Sequence, residues 1–253
     1  MRPIHQGTVE MSHYRIPELE GLDPQAPPQW RWVHRAGPGA QRIGILSASF
    51  NPPTRAHVAL LEAAREAFHL EEHVLLLALT HVEKPLTGFG WRERLEMLRA
   101  IARGRPGWSV ALCNRARFFE KARALREDVG EGPELFFLMG GDTMVRLFDP
   151  RYYPDIPMES ALEQFFRIAR LLVAPRPPWD RPSLEAFLKD PSRAAYRTRI
   201  DFLTLDPAFA TLSSSEVRQR LARGEPVDAL VPPEVLPWLT ERGGRLDPER
   251  PVG

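Results

Sequence analysis

A stretch of small and polar residues near residue 50 carries the first side chains that could do chemistry. It reads Ser47-Ala-Ser-Phe-Asn-Pro-Pro-Thr-Arg-Ala-His57 and follows a short apolar run. The proline pair favours the start of a helix, whose free N–H groups form a natural anion site. Thr54 and His57 lie three residues apart, so both would project from one face of that helix. A hydroxyl and an imidazole there suit a phosphate or its transition state, although a helix-capping Thr54 beside an incidental His57 is the structural alternative.

The second candidate group lies in the C-terminal third of the chain, at Ser213-Ser-Ser-Glu-Val-Arg218. Ser213 and Glu216 have the spacing of a capping box, which predicts a helix start. Ser214 and Arg218 are four residues apart and would share a helix face beside the free N–H groups of Ser214 and Ser215. Hydroxyls, N–H groups and a guanidinium that converge in this way would form a triphosphate clamp.

Composition limits what the rest of the chain can be. The 253 residues include 34 Lys plus Arg and 33 Asp plus Glu, a net charge of +1 that predicts neither nucleic-acid nor membrane binding. A single cysteine, Cys113, excludes an internal disulfide and a Cys-rich zinc site, and no metal ligands are predicted. Only three of the 34 basic residues are lysines, at positions 84, 121 and 189, so each lysine is of interest.

Location follows from the apolar segments. The first twenty residues lack the apolar core of a secretion signal, and the longest apolar run, 74–79, is too short to cross a bilayer. The sequence therefore predicts a cytoplasmic protein without a membrane partner. The sequence does not decide whether the protein forms a homo-oligomer.

Short apolar runs alternate with amphipathic segments along most of the chain. The pattern predicts strands at 42–46, 74–79, 109–112, 134–139, 171–174 and 200–203, and helices at 57–68, 91–102, 118–128, 214–223 and 233–242. This alternation predicts an α/β fold, a Rossmann-like parallel sheet with helices on both faces. Such sheets bind ligands beyond the carboxyl ends of their strands, which is where both motifs lie. The predicted division is a Pro-rich N-terminal extension at 1–41, a domain at 42–242 and a tail at 243–253.

Taken together, the two motifs resemble those of the nicotinamide/nicotinate mononucleotide adenylyltransferases within the nucleotidyltransferase superfamily. The stretch 49–57 is similar to the motif Gly-Ser-Phe-(Asp/Asn)-Pro-x-(His/Thr)-x-x-His, and 213–218 to the motif Ser-Ser-Thr-x-(Ile/Val)-Arg. The resemblance runs from about Arg42 to Leu239, with order and spacing retained. It implies attack by a mononucleotide phosphate on the α-phosphate of ATP, which yields a dinucleotide and pyrophosphate, with Mg²⁺ bridging the triphosphate.

The same resemblance implies roles for individual residues. His57 and Thr54 would act at the α-phosphate, and Ser214, Ser215 and Arg218 would hold the β- and γ-phosphates. The remaining ATP-binding residues implied are Ser49, Phe50, Asn51, Gly140 and Asp142. On the acceptor side the implied residues are Lys84, Trp91, Arg92 and Arg176. Gly140 would permit close backbone approach, while Asp142 would accept from a ribose or adenine-side group.

The sequence also departs from the family pattern. Ser47-Ala48-Ser49 replaces the usual glycines, and Ala56 stands where many members have glycine. The Ser-Tyr-Thr stretch of the nicotinate-specific bacterial members is absent from 114–119. Two alternatives therefore stay open: a related transferase with another phosphorylated acceptor, and a weakly active nucleotide-binding regulatory protein. A Gly-x-Gly-x-x-Gly fingerprint is missing after the first strand, which disfavours a hydride-transfer enzyme.

Overall fold

The computed structural model describes residues 19–79 and 88–240. Seven strands of this part of the chain form one sheet: β1 Trp30–His34, β2 Arg42–Ser47, β3 Glu72–Ala78, β4 Trp108–Cys113, β5 Glu134–Gly140, β6 Ala169–Ala174 and β7 Ile200–Phe202. The helices are α1 Arg55–Phe68, α2 Trp91–Arg103, α3 Phe118–Val129, α4 Gly141–Leu147, α5 Met158–Ile168, α6 Arg181–Phe187, α7 Pro191–Ala194, α8 Pro207–Ala210, α9 Ser214–Ala222 and α10 Leu236–Thr240.

The sheet is parallel except at one edge. Its order is β1-β4-β3-β2-β5-β6-β7, and only β1 runs antiparallel, to β4. Strands β3 and β4 are buried at every residue, as expected for strands covered on both faces. One core cluster joins the sheet to α1, α2 and α9, and the other joins it to α3, α4 and α5. The predicted α/β sheet with helices on both faces is confirmed.

The topology creates a crevice at the centre of the sheet. From β2 the chain builds outward through β3 and β4, then returns to add β5, β6 and β7 on the other side of β2. The strand order therefore reverses between β2 and β5, and ligands of open α/β sheets bind at the carboxyl ends of the strands on either side of such a point. The first candidate motif follows β2, and Gly140 and Asp142 lie where β5 ends.

Two regions differ from the sequence expectation. Irregular structure was expected up to residue 41, whereas Trp30–His34 form the antiparallel edge strand. This strand depends on pairing with β4, about 80 residues later, so local sequence does not reveal it. Helices α4 to α8 were also not predicted. Four of them, α4, α6, α7 and α8, are too short to show a clear helical period. The fifth, α5, does bury a helical face of Ala161, Leu162, Phe165 and Phe166, which the sequence analysis did not select. The C-terminal helix begins with a 3₁₀ turn at Pro233–Val235 and continues as α10 to the end of the described residues.

Within the described residues, no helix combines the length and hydropathy needed to span a membrane. The same ranges contain no group of three or more His, Cys, Asp or Glu side chains arranged to hold a metal ion.

Candidate active site

Thr54 and His57 meet at the N-terminus of α1, just beyond the carboxyl end of β2. Thr54 is the N-cap residue and is fully buried, while His57 occupies the first turn of the helix and is half-buried. The Thr54 N–H donates to His57 Nδ1 at 2.9 Å, and the Thr54 hydroxyl lies 2.8 Å from the same nitrogen. Thr54 therefore caps the helix, as the structural alternative predicted, and the same contact orients the imidazole of His57.

This contact determines which nitrogen of His57 carries the proton of the neutral ring. Since Nδ1 accepts a backbone N–H, the proton of the neutral ring resides on Nε2. Burial lowers the pKa of the His57 imidazole to about 4, and the positive charge of Arg176 acts in the same direction. At neutral pH His57 is therefore an uncharged side chain with an Nε2–H available to an oxygen ligand.

Phe50 and Asn51 hold the loop that precedes α1. Phe50 is completely buried with φ of 47°, in the left-handed region, and its ring centroid lies 5.0 Å from that of His57. Asn51 is 1% exposed, and its side-chain oxygen accepts the N–H of Phe89 at 2.9 Å. The loop is thus braced from within the core and by the segment that leads into α2.

The second motif packs directly against the first. Ser213 caps α9 by accepting the N–H of Glu216 at 3.2 Å, as the capping box predicts. Ser214 donates its hydroxyl to the Pro52 carbonyl at 2.8 Å, and Arg218 Nη1 donates to the Asn51 carbonyl at 2.6 Å. Residues about 160 positions apart therefore form one contact network around the start of α1.

Ser215 and the second nitrogen of Arg218 lie on the solvent side of this network. Arg218 Nη2 donates to the Ser215 hydroxyl at 3.2 Å, and Ser215 is exposed. One arm of the guanidinium thus anchors the loop, and the other remains near the surface. The arrangement combines a cation, hydroxyls and the N-terminus of α9, which suits several phosphate oxygens.

Asp142 and Arg176 form an ion pair across the ends of β5 and β6. Arg176 Nη2 lies 2.8 Å and Arg176 Nε 3.0 Å from Asp142 Oδ1. A Cβ added to Gly140 would come within 2.8 Å of the same carboxylate oxygen and 3.1 Å of Arg176 Nε, so glycine is needed for this close approach. The sequence analysis assigned Asp142 to ATP and Arg176 to the acceptor, whereas the structure joins the two residues in an ion pair.

The helix after the undescribed residues 80–87 presents an arginine that the sequence analysis did not select. Arg94 is completely buried, and its Nη1 donates to the Ser49 carbonyl at 3.1 Å while its Nε lies 3.4 Å from the Gly90 carbonyl. Its guanidinium lies 4.5 Å from the centre of the Trp91 ring. The spacing of Trp91 and Arg94, three residues apart on one helix face, was the available signal. Arg94 therefore ties the first loop to the start of α2.

The remaining predicted residues are distributed as follows. Trp91 is half-buried and packs against the core, Arg92 is exposed, and Lys84 lies outside the described residues. Ser49 contributes its carbonyl to Arg94 rather than a side-chain contact. The structure thus brings Thr54, His57, Asn51, Ser214 and Arg218 into one network, with Asp142 and Arg176 at the adjacent strand ends.

Comparisons with known proteins agree with this geometry. The cytidylyltransferase-like family model matches residues 45–220, more than half of the chain. A Chromobacterium violaceum protein named as a nicotinate-nucleotide adenylyltransferase is 30% identical over 224 residues, covering 78% of this chain and 95% of its own. A Schizosaccharomyces pombe protein named as a nicotinamide mononucleotide adenylyltransferase is 31% identical over 132 residues, and this match covers 51% of each chain.

A solved structure shares the fold. The nicotinic acid mononucleotide adenylyltransferase of Plasmodium falciparum, in complex with NaAD, superimposes with a TM-score of 0.60 at 17% identity, covering 83% of this chain and all of the other.

Proposed function

Because the chain belongs to the nicotinamide/nicotinate mononucleotide adenylyltransferases of the cytidylyltransferase-like family, we propose that it transfers the adenylyl group of ATP to a pyridine mononucleotide, as in NAD biosynthesis. The observation that carries this proposal is the meeting of the two motifs. Ser214 and Arg218 contact the carbonyls of Pro52 and Asn51, so the proposed triphosphate clamp lies against the helix start that bears His57.

In the reaction, an oxygen of the acceptor phosphate forms a bond to the α-phosphorus of ATP. The bond from that phosphorus to the bridging oxygen breaks, and pyrophosphate leaves with the electron pair. Little covalent work falls to the protein, which aligns two anions and stabilises the charge that spreads over the α-phosphate oxygens. We assign this stabilisation to the Nε2–H of His57, with Thr54 orienting the imidazole.

The other proposed roles follow from position. Ser214, Ser215 and Arg218 would hold the β- and γ-phosphates, with Arg218 using the guanidinium arm that faces Ser215. Ser49, Phe50 and Asn51 would shape the loop beneath the nucleotide, and Gly140 would admit it closely over the end of β5.

Asp142 and Arg176 would meet the nucleoside portion as an ion pair, which leaves lone pairs of Asp142 free to accept from a hydroxyl or an amine. The acceptor-side roles of Lys84, Trp91 and Arg92 stay predictions from the sequence.

Mg²⁺ would enter with ATP. The groups that the described residues bring to this edge are mainly donors, and the carboxylate of Asp142 is paired with Arg176. Such a set suits phosphate oxygens, whereas Mg²⁺ takes oxygen ligands and commonly binds through substrate phosphates. We therefore propose that the triphosphate would carry the ion, which would supply positive charge to the leaving pyrophosphate.

Nicotinate mononucleotide is the acceptor we propose as preferred. Relatives named for nicotinate match over 78% to 80% of the chain, whereas the relative named for nicotinamide matches over 51%. The cytoplasmic location stays a prediction, and the oligomeric state stays open.

The test is pyrophosphate release with ATP and Mg²⁺, measured with nicotinate mononucleotide, nicotinamide mononucleotide and no acceptor. We expect release that depends on the acceptor, together with a dinucleotide product that chromatography identifies. A further arm with 4′-phosphopantetheine covers the related-transferase alternative, which release with that acceptor alone would support. ATP binding without turnover on any acceptor would support the regulatory alternative instead.

A further inference from the structure

Lys121 is a buried lysine at the same edge of the sheet, and none of the roles above uses it. It lies in the first turns of α3 with 5% of its surface exposed. Its Nζ donates to the Ser47 hydroxyl at 3.0 Å and lies 4.7 Å from the centre of the Phe118 ring. A lysine on the apolar face of a helix, beside Phe118, Ala122 and Leu125 in the core, is an unusual position for a cation.

The amine has no carboxylate partner within ion-pair distance among the described residues. The adjacent Glu120 is engaged instead by Arg117, whose Nε and Nη2 lie 3.0 Å and 3.1 Å from its oxygens. Burial raises the pKa of the nearby Cys113 thiol, which is therefore neutral, and burial lowers the pKa of Lys121 itself to about 8. A buried ammonium with one neutral hydroxyl as its hydrogen-bond partner is destabilising unless an anion compensates it.

The position of Ser47 relates this amine to the proposed active site. Ser47 is the last residue of β2 and is half-buried, at the carboxyl end where the first loop begins. Side chains alternate along a strand, so Ser47 shares the face of Ile43 and Ile45, which pack in the cluster that contains α3. Helix α1, with His57 at its N-terminus, covers the opposite face through Leu61. The amine and the imidazole thus lie on opposite faces of the same strand end.

We propose that Lys121 Nζ and Ser47 Oγ bind the carboxylate of the acceptor's pyridine ring and so select nicotinate over nicotinamide mononucleotide. This inference rests on the proposed function. The acceptor phosphate must reach the α-phosphate beside His57, so the anionic group that remains for the far face is the ring carboxylate. A neutral carboxamide would leave the buried ammonium uncompensated, which is how a site discriminates between such similar molecules.

The experiment compares Lys121→Met, which keeps the length of the side chain without its charge, with Ser47→Ala and with wild type. Lys189→Met serves as the matched control, because Lys189 is exposed and lies outside the proposed site. For each protein, kcat and KM are measured for both mononucleotides at saturating ATP. Calorimetric titration of each mononucleotide gives affinities that do not depend on turnover.

We expect Lys121→Met to raise the KM and Kd for nicotinate mononucleotide about tenfold or more, the effect of losing a hydrogen bond to a charged group. The values for nicotinamide mononucleotide, the KM for ATP and kcat should stay near wild type. Its melting temperature should be unchanged or higher, because an apolar side chain replaces a buried charge. Ser47→Ala should show the same selective loss, to a smaller degree and with less risk to folding.

Three results would overturn the inference. Equal weakening of both acceptors would assign the amine to the shared phosphate. A wild-type preference for nicotinamide mononucleotide, or unchanged KM and Kd values in both variants, would remove the carboxylate contact altogether. Failure of wild type to turn over either acceptor would instead contradict the proposed function, and the titrations would still show whether Lys121 distinguishes the two ligands.

Discussion

At the scale of single residues, the chemistry centres on a histidine held in one tautomer. His57 accepts the Thr54 N–H at Nδ1, so Nε2 carries the proton of the neutral ring. Burial, and after it the positive charge of Arg176, lower the pKa of His57 and so keep the ring neutral at pH 7. In the proposed reaction His57 would act as an oriented hydrogen-bond donor, which would stabilise developing phosphate charge without a proton transfer.

His57→Asn tests that role. Its amide oxygen can still accept the Thr54 N–H, whereas the donor at the position of Nε2 is lost. We expect kcat to fall about 100-fold or more, since removing one transition-state donor has effects of this size. Steady-state kinetics with saturating ATP measure the change.

His69→Asn is the control for this substitution. His69 is exposed at the other end of α1 with φ of 51°, a conformation that asparagine tolerates. Its turnover should equal that of wild type. If His57→Asn also retained normal kcat, the assignment to the α-phosphate would be wrong.

The pKa of His57 also predicts how stability depends on pH. The unfolded chain takes up a proton near pH 6.5, whereas the folded protein does so near pH 4. Between these values the unfolded state binds more protons, so the free energy of unfolding falls as the pH is lowered. This loss of unfolding free energy reaches at most about 3 kcal/mol below pH 4 and is absent above pH 7.

Urea denaturation at pH 7, 5.5 and 4.5 would measure this contribution. Wild type should lose more stability than His57→Asn as the pH falls, while His69→Asn should follow wild type. Parallel curves for wild type and His57→Asn would contradict the lowered pKa.

At the scale of elements, the site depends on loops that lock together. The loop after β2 is held by Arg218 of α9, by Arg94 of α2 and by the N–H of Phe89. Gly88 lies at the centre of these contacts with φ of 104°. A Cβ there would come within 2.7 Å of Arg218 Cδ and 2.8 Å of Asn51 Oδ1.

Gly88→Ala should therefore displace both side chains. We expect kcat/KM for ATP to fall at least tenfold and the protein to lose about 2 kcal/mol of stability through overpacking and backbone strain. Gly39→Ala is the matched control, because Gly39 has φ of 96° but no atom within 4 Å of its added Cβ. It should show the backbone strain alone, with normal kinetics. Similar kinetics for the two variants would mean that the loops are not coupled.

At the scale of the whole molecule, the N-terminal segment completes the sheet. Asn114 follows β4 and is completely buried; its amide nitrogen donates to the carbonyls of Asp23 at 2.7 Å and Pro27 at 3.0 Å. Its side-chain oxygen accepts the N–H of Gln29 at 2.7 Å. These bonds hold the segment that leads into β1, so that β1 covers the otherwise open edge of β4.

Asn114→Ala should cost about 2 kcal/mol of stability, because buried backbone groups of the segment lose their partners. Chemical denaturation measures the loss, and limited proteolysis should cleave the segment before β1 sooner than in wild type. Gln25→Ala, at an exposed position of the same segment, should leave both measurements unchanged. Equal stability of Asn114→Ala and wild type would show that the segment is held by other contacts.

Much of the fold and the family of this protein could be predicted from its sequence alone. Apolar runs and helical periods predicted the α/β sheet, since burial on both faces imposes a pattern visible over six residues. The capping residues Thr54 and Ser213 marked the two helix starts, and their motifs indicated phosphate binding, because capping and anion binding act within one turn of a helix. The family followed from the order and spacing of the same motifs.

Tertiary structure decided the relations between distant residues. The pairing of β1 with β4, the contact of Arg218 with Asn51 and the ion pair of Asp142 with Arg176 each join segments that are 30 or more residues apart. These contacts form only when the fold brings distant segments together, and local propensity does not encode that. Burial is equally non-local, because desolvation depends on every element packed around a side chain. It lowers the pKa of His57, and it identifies Lys121 as a buried amine that could bind an anionic ligand.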